Sequence, residues 1–246
     1  WEPRYRQPFE PLIPGFEHIA YNDLEALQAA VDDQTAAVLL EVIQGEGGVI
    51  PAEESFIRGV RELCDEHDLL MLCDEVQCGM GRTGTWFGYE HYGIKPDFVT
   101  LAKGVASGYA AIACLVTNEK VFDLFKDDDT DPLNYFRDIS TFGGCTAGPA
   151  AAIENMAIIE KENLLENTTQ MGAYMLDRLG ELADKHAVIG NVRGKGLFLA
   201  TAAADHPGIQ VRSVRLRRAE IGGCLDSDGE LDGFPRRHLH TALDPN

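Results

Sequence analysis

The sequence has little positive charge. Its 246 residues carry 21 Lys and Arg against 40 Asp and Glu, which gives a formal net charge of −19. A surface this acidic repels nucleic-acid phosphates and anionic lipid headgroups, so neither class of partner is expected. Lysine is also scarce among the cations. This balance favours the hypothesis of a protein that works in high salt, with an ordinary acidic cytoplasmic protein as the alternative.

Long apolar runs and paired cysteines are absent too. No stretch approaches the roughly 18 apolar residues that cross a bilayer, and no signal-peptide pattern stands at the start. The six cysteines are scattered without a C-x-x-C pair, which predicts reduced, mostly buried thiols and a cytoplasmic protein. His238 and His240 are too few for a metal site, and no metal is predicted. Because the chain begins at Trp1 rather than Met, we expect a fragment of a longer protein.

Strand and helix patterns alternate through the first two thirds of the chain. Helices are predicted at 24–31, after an Asn22-Asp23 cap, and at 53–67. Strands are predicted at 36–43, 69–73, 98–102 and 111–117. Continuous apolar strands separated by amphipathic helices indicate an α/β fold with a mostly parallel sheet and flanking helices.

The last third has a different pattern. Residues 149–186 are mostly helical with a break near Asn163, and 188–199 reads as a strand and turn that opens a smaller unit. The periodicity dissolves after about Ala203, and the Arg-rich stretch 212–246 shows no clear strand or helix. We therefore predict an atypical tail from about residue 204.

Two charged residues follow predicted strands, where open α/β sheets bind their ligands. Asp74 follows strand 69–73 and Lys103 follows strand 98–102. A carboxylate and an amine facing one pocket suit pyridoxal phosphate, because the amine condenses with the cofactor aldehyde and the carboxylate keeps the pyridine nitrogen protonated. A plain ion pair or two helix caps would explain the same residues without a cofactor.

A glycine-rich segment offers a competing interpretation. Residues 79–84 fit G-x-G-x-x-G, the fingerprint of dinucleotide-binding proteins. That fingerprint should join a strand directly to a helix, yet five residues separate it from strand 69–73, and Thr85-Trp86-Phe87-Gly88 is a poor helix start. Nicotinamide chemistry is therefore not favoured.

Five ordered segments carry a family resemblance. They are LCDEVQCGMGRTG (72–84), EHYGIKPD (90–97), TLAKG (100–104), EVIQGEGG (41–48) and STFGG (140–144). Together they resemble the signature of class III pyridoxal-phosphate-dependent aminotransferases, over roughly residues 10–200. The resemblance implies a fold type I enzyme, in which 1–160 is part of the cofactor-binding large domain and 161–246 is part of a small C-terminal α+β domain. It also implies a homodimer with active sites at the interface.

The resemblance also implies roles at the cofactor. Lys103 would hold pyridoxal 5′-phosphate as a Schiff base, and Asp74 would pair with the pyridine nitrogen. Val76 would pack on the ring face, and Gln77 would contact the phenolic oxygen.

Further residues would serve the phosphate and the substrate. Ser140 and Thr141 would bind cofactor, and Thr141 would reach the phosphate of the neighbouring subunit's cofactor. Glu46 resembles the family's gating carboxylate, which pairs with a C-terminal arginine until a substrate carboxylate displaces it.

The implied reaction is a ping-pong transfer of an amino group from an ω-amine donor to a 2-oxo acid. Residues 11–51 resemble acetylornithine and related ω-aminotransferases, whereas 106–165 resemble ω-amino acid:pyruvate enzymes of the β-alanine and taurine type. The expected donors are therefore of the acetylornithine, β-alanine, taurine or GABA type. A pyridoxal-phosphate aminomutase or racemase and a truncated, non-catalytic pseudoenzyme remain as alternatives.

The sequence departs from the family in several places. Val42 stands where proline is frequent, and Cys145-Thr146 where Asn-Pro is common. The upstream half, with its phosphate loop and ring-stacking aromatic residue, is not present, and the pattern of the C-terminal arginine segment is lost after about Ala203. A change of reading frame is our hypothesis for that loss. We expect the isolated chain to hold cofactor weakly and to be inactive in transfer.

Overall fold

The computed structural model describes residues 3–125, 140–204 and 212–217. The α-helices of these ranges are α1 (Pro3–Arg6), α2 (Leu24–Ala30), α3 (Glu54–Glu66), α4 (Glu119–Asp123), α5 (Ala147–Lys161) and α6 (Leu164–Lys185). The strands are β1 (Phe16–Ala20), β2 (Thr35–Leu40), β3 (Ile43–Gln44), β4 (Ile50–Pro51), β5 (Leu70–Asp74), β6 (Phe98–Leu101), β7 (Cys114–Thr117), β8 (Ile189–Lys195), β9 (Phe198–Ala203) and β10 (Arg212–Arg217). Short 3-10 helices span Gln7–Phe9, Gly88–Tyr92 and Lys103–Ala106.

Six strands form the central sheet, in the order β1-β10-β2-β5-β6-β7. The pairs β2–β5 and β5–β6 are parallel, and the other three pairs are antiparallel. Strands β1, β2, β5 and β6 consequently run in one direction and β7 and β10 in the other. The predicted α/β fold with a mostly parallel sheet and flanking helices is confirmed.

The core lies on one face of this sheet. Helix α3 buries its apolar stripe there, including Phe56 and Val60, against alternate side chains of β2 and β5 such as Val38 and Met71. Each fully buried side chain of this kind contributes about 1.5–3 kcal/mol of transfer free energy. On the opposite face Leu72 is only half-buried. The two faces of β2 and β5 are therefore covered unequally.

Local signals set most element boundaries near their predicted places. The Asp23 carboxylate caps α2 by accepting the Ala26 N–H at 2.9 Å. The break near Asn163 separates α5 from α6, and Asn163 itself has a left-handed φ of 53°. The predicted strand 36–43 is wrong at its end, because β2 stops at Leu40 and Glu41 begins a loop.

The stretch 212–246 does contain a strand, contrary to the prediction. Strand β10 pairs antiparallel with β1 on one side and β2 on the other. Val214 and Leu216 alternate with polar or basic residues, which is the two-residue period of a strand. The arginines between them obscured that pattern. The rest of this stretch, with His238, His240 and Cys224, lies outside the described residues.

The described cysteines agree in part with the expectation of buried thiols. Cys64, Cys73 and Cys78 are free and buried, Cys114 is half-buried, and Cys145 is exposed. Burial raises the pKa of the Cys64 thiol to about 12, so that thiol stays protonated at neutral pH. Among the helices in the described ranges, none is long and apolar enough to cross a membrane.

Candidate active site

The candidate site lies at the edge of the sheet where β2, β5 and β6 end. Asp74 is the last residue of β5 and lies level with Thr100 of β6, three residues before Lys103. Leu40 lies level with Cys73, so Glu41 leaves β2 beside Asp74. Because parallel strands end at the same edge, the loops after all three strands start there.

Lys103 opens a tightly constrained turn. Its φ is 42°, a left-handed value that costs a non-glycine residue roughly 1 kcal/mol or more, and Ser107 at the other end of the turn has a φ of 51°. Between them Val105 and Ala106 are each 1% exposed and anchor the turn in the core. The Lys103 side chain itself is exposed. The turn is thus fixed on its apolar side while the amine remains accessible.

The loop after β5 is fixed by its own hydrogen bonds. The Val76 N–H donates to Asp74 Oδ1 at 3.0 Å, and the Glu75 N–H donates to the Thr100 carbonyl at 3.0 Å. Asp74 and Val76 are half-buried. The carboxylate of Asp74 therefore has a defined orientation at the strand end.

Glu75 points into the protein. It is 1% exposed, and its two carboxylate oxygens accept the N–H groups of Gly88 at 2.8 Å and Tyr89 at 2.9 Å. Burial raises the pKa of Glu75 to about 7, and the two N–H donors oppose that rise. This residue ties the loop after β5 to the 3-10 helix Gly88–Tyr92.

Glu41 follows β2 at the same edge, and the sequence prediction did not single it out. Burial is the largest influence on the pKa of its carboxyl and raises it, and the Gly45 N–H, which donates to Glu41 Oε2 at 3.1 Å, lowers it. The charge of Asp74 raises the same pKa further, and that of Lys103 lowers it. Since such effects require proximity, Glu41, Asp74 and Lys103 share one neighbourhood. Glu41 was overlooked because it was counted inside an apolar strand; ending that strand at Leu40 would have revealed it.

The loop after β2 carries Glu46 and lies against Gln77 of the loop after β5. A β-carbon on Gly45 would overlap the Gln77 side chain, so only glycine lets Gln77 lie there. Glu46 is exposed in the turn that the Gly48 N–H closes on the Gly45 carbonyl at 3.0 Å. From the hairpin β8–β9, the Arg193 guanidinium donates to the carbonyl of Gly48 and so holds this turn.

Three further predictions concern residues 140–141, the glycine-rich segment 79–84 and the C-terminal arginine. Ser140 and Thr141 are exposed in the turns that precede α5. Residues 79–84 form consecutive turns and are followed by a 3-10 helix rather than by an α-helix, which is the wrong context for a dinucleotide fingerprint. The C-terminal gating arginine would fall in the tail outside the described residues.

Comparisons of sequence and of structure find similar proteins of one kind, the aminotransferases. The sequence pattern of the family described as Aminotransferase class-III matches residues 1–220. A taurine–pyruvate aminotransferase of Rhodobacter capsulatus is 61% identical over 208 residues, which cover 84% of this chain and 45% of the relative. An acetylornithine aminotransferase of Caldanaerobacter subterraneus is 44% identical over 196 residues, covering 80% and 47%. A solved (S)-enantioselective omega-transaminase of Thermomicrobium roseum superposes with a TM-score of 0.75 at 29% identity, covering 85% of this chain and 51% of that one.

Two points follow from these matches. The chain spans about half the length of the relatives it matches. The family match also runs past Ala203 to residue 220 and includes β10, so the expected loss of family pattern after about Ala203 is placed too early. The chain belongs to the class-III aminotransferases.

Proposed function

We infer that this chain is the lysine-bearing part of a pyridoxal-phosphate-dependent aminotransferase that moves an amino group from an ω-amine donor to a 2-oxo acid in a ping-pong reaction. One observation carries the proposal: the Asp74 carboxylate and the Lys103 amine leave neighbouring parallel strands at one edge of the sheet. Glu41 leaves the adjacent parallel strand at that same edge, because Leu40 lies level with Cys73.

The residues at this edge fit the family's cofactor. When bound, pyridoxal phosphate supplies an aldehyde that condenses with amines and a protonated ring that withdraws electrons from the substrate carbon. The exposed Lys103 amine would hold the cofactor through that aldehyde. The Asp74 carboxylate, already oriented by the Val76 N–H, would hold the proton on the ring nitrogen.

Other residues would complete the contacts. Val76 is half-buried beside Asp74 and would pack on the ring face. Gln77, whose side chain fills the space over Gly45, would donate its amide N–H to the phenolic oxygen. Ser140 and Thr141 would bind phosphate, and their exposure supports contact with a second subunit in a homodimer.

Lys103 would also move the proton at the substrate carbon. Glu46 lies exposed on a turn beside the same edge. A carboxylate there repels an acidic substrate unless a cation neutralises it, which suits a gating role. Its arginine partner would come from the C-terminal tail.

The donor we propose to test first is taurine, with pyruvate as acceptor. Identity is higher to the taurine–pyruvate relative, at 61%, than to the acetylornithine relative, at 44%. Both relatives are aminotransferases, which favours transfer over the aminomutase or racemase alternative. The argument for a pseudoenzyme is that this chain covers 45% of the length of the taurine–pyruvate relative.

We also propose a division of the chain into two domains and a cellular location. Residues 1–160 would supply part of the cofactor-binding domain, and the separate hairpin β8–β9 supports a smaller unit within 161–246. Strand β10, by contrast, joins the central sheet. Free, buried thiols at Cys64, Cys73 and Cys78 support a reducing, cytoplasmic location.

The test is chemical capture of the cofactor lysine. The purified chain is incubated with pyridoxal phosphate, scanned for the absorbance of a lysine–cofactor adduct, reduced with borohydride and mapped by peptide mass spectrometry. We expect the cofactor mass on Lys103, and its loss in Lys103→Ala. Lys120→Ala is the matched control, because the Lys120 side chain is 87% exposed on a distant helix.

The outcomes separate the alternatives. Adduct confined to Lys103, followed by alanine formation from taurine and pyruvate, supports the enzyme. Adduct without transfer supports a chain that keeps the cofactor lysine but lacks a complete substrate site. Labelling spread equally over several surface lysines, in a folded protein, would contradict the assignment of Lys103.

A further inference from the structure

One side of helix α5 is apolar except for a single amide. Gly148, Ala152 and Ile159 are buried at a spacing of four and seven residues, and Asn155 stands between the last two at helical spacing. Gly148 is packed so closely that a β-carbon would lie 3.3 Å from the Ala111 carbonyl oxygen. A polar side chain on such a face is costly to bury unless it has partners.

Asn155 has two partners, and both belong to the turn that Lys103 opens. Its Nδ2 donates to the Gly104 carbonyl at 2.9 Å and to the Val105 carbonyl at 3.1 Å. A side-chain amide nitrogen carries two hydrogens, so one asparagine can satisfy both carbonyls at once. The same Gly104 oxygen also accepts the Ser107 N–H at 3.3 Å, which closes the turn.

This turn needs support because its backbone is strained. Lys103 and Ser107 both have left-handed φ values without being glycine, a conformation that persists only when the surroundings enforce it. Val105 and Ala106 anchor the apolar side of the turn in the core. Asn155 holds the polar side through the carbonyl groups. The two anchors together determine the direction in which the Lys103 side chain leaves the backbone.

We propose that Asn155 is a positioning residue for Lys103, an inference that rests on the proposed role of Lys103 as the cofactor lysine. Asn155 acts through the backbone of Gly104 and Val105. In the condensation step the Lys103 nitrogen attacks the cofactor aldehyde carbon, the double bond to nitrogen forms, and the aldehyde oxygen leaves as water. The attack requires a defined approach of the amine, which a loosened turn would provide only part of the time.

Two substitutions remove the donor in different ways. Asn155→Asp keeps the shape but turns an oxygen toward two carbonyl groups, and Asn155→Leu keeps the approximate size without any polar group. The matched controls are Asn167→Asp and Asn167→Leu, because Asn167 is an exposed asparagine inside helix α6. Circular dichroism identifies any variant that has lost its fold.

Two readouts separate positioning from mere stabilisation. The first is the rate at which pyridoxal phosphate forms the borohydride-trapped adduct on Lys103. The second is amide hydrogen exchange in residues 103–109 of the cofactor-free chain. With both hydrogen bonds lost, we expect about tenfold slower adduct formation and about tenfold faster exchange in that segment, with exchange in α3 unchanged.

Each outcome decides the proposal. Slower adduct formation together with faster local exchange supports it, provided that the Asn167 variants behave like the wild type. Faster exchange with an unchanged adduct rate overturns the positioning role and leaves a structural clamp. Unchanged exchange and unchanged rate overturn both. If the wild-type chain forms no adduct on Lys103, the proposed function fails, and the positioning role fails with it.

Discussion

At the scale of single residues, the site is built from charged groups in unequal environments. Lys103 is exposed, Asp74 is half-buried, and Glu75, the next residue in the chain, is buried and bonded to two backbone N–H groups. Asp74 ends strand β5, and Glu75, which follows it, fixes the loop after β5 from inside the protein.

Glu75 should make stability depend on pH. An unfolded glutamate titrates near about 4.3, whereas burial raises the pKa of Glu75 in the fold to about 7. Between these values the folded chain holds a proton that the unfolded chain releases. The free energy of unfolding should therefore fall as pH rises from about 4 to about 7, by about 4 kcal/mol in total, and level off above.

Urea unfolding of the wild type and Glu75→Gln across pH 4.5–8 tests this expectation. The uncharged variant should lack this contribution, so the stability difference between the two proteins should change across the window. Glu62→Gln, at an exposed position of α3, is the control and should follow the wild type. Parallel curves for the wild type and Glu75→Gln would show that Glu75 does not titrate in this range.

At the residue scale, the sequence placed Asp74 and Lys103 at the ends of two neighbouring strands, and the chemical roles it gives them stay predictions. Asp74 and Lys103 were identified because a charge directly after an apolar strand needs an explanation. Glu41 meets the same criterion but was hidden in the run AAVLLEVI, whose strand ends earlier than its apolar pattern. The hydrogen bonds of Asn155 could not be predicted from the sequence. Helical spacing indicates which face of α5 is buried, but not which carbonyl groups that face contacts.

At the scale of elements, glycine determines how closely α6 approaches the hairpin β8–β9. A β-carbon on Gly172 would overlap the backbone of Gly196, which lies in the turn of the hairpin. Gly180, further along the same helix, has open space around it. The helix thus offers one glycine required by packing and one that is not.

Alanine at these two positions should have opposite effects. Gly172→Ala should destabilise the fold by about 1–3 kcal/mol, because the hairpin must move away. Gly180→Ala should stabilise it by roughly 0.5–1 kcal/mol through helix propensity. Chemical denaturation midpoints measure both. Equal stabilisation by the two substitutions would mean that the hairpin does not dock on α6 in solution.

Element prediction was accurate where the pattern is local. Helix α3 and strand β5 begin and end within about one residue of their predicted bounds, because periodicity and capping are properties of short segments. Strand β10 was missed, because its pairing with β1 and β2 depends on residues far away in the sequence. Its arginines also resemble a solvated patch.

At the scale of the whole molecule, charge is the dominant feature. A net charge of −19 on 246 residues implies self-repulsion that the folded state must overcome. Few ion pairs between distant residues relieve it in the described part of the chain; one joins Arg61 to Asp97 at 2.9 Å. Salt should screen the remaining repulsion.

Thermal stability should therefore increase with salt. We expect the melting temperature to rise steadily between about 0.05 and 1 M KCl, as the screening length falls from more than 10 Å to about 3 Å. Sucrose of matched osmolality is the control for nonspecific exclusion effects. A melting temperature indifferent to KCl would remove the hypothesis of a salt-adapted protein.

The position of β10 has a consequence for how the molecule assembles. This strand is the last described in the chain, yet it lies between β1 and β2, two of the first. During synthesis, β2, β5, β6 and β7 can associate while the outer edge of β2 still exposes unpaired backbone groups. Until residues 212–217 have left the ribosome, a strand from another nascent chain could bind that edge instead. Misassembly of this chain should therefore depend on ribosome crowding and on the speed of translation through and just after residues 212–217.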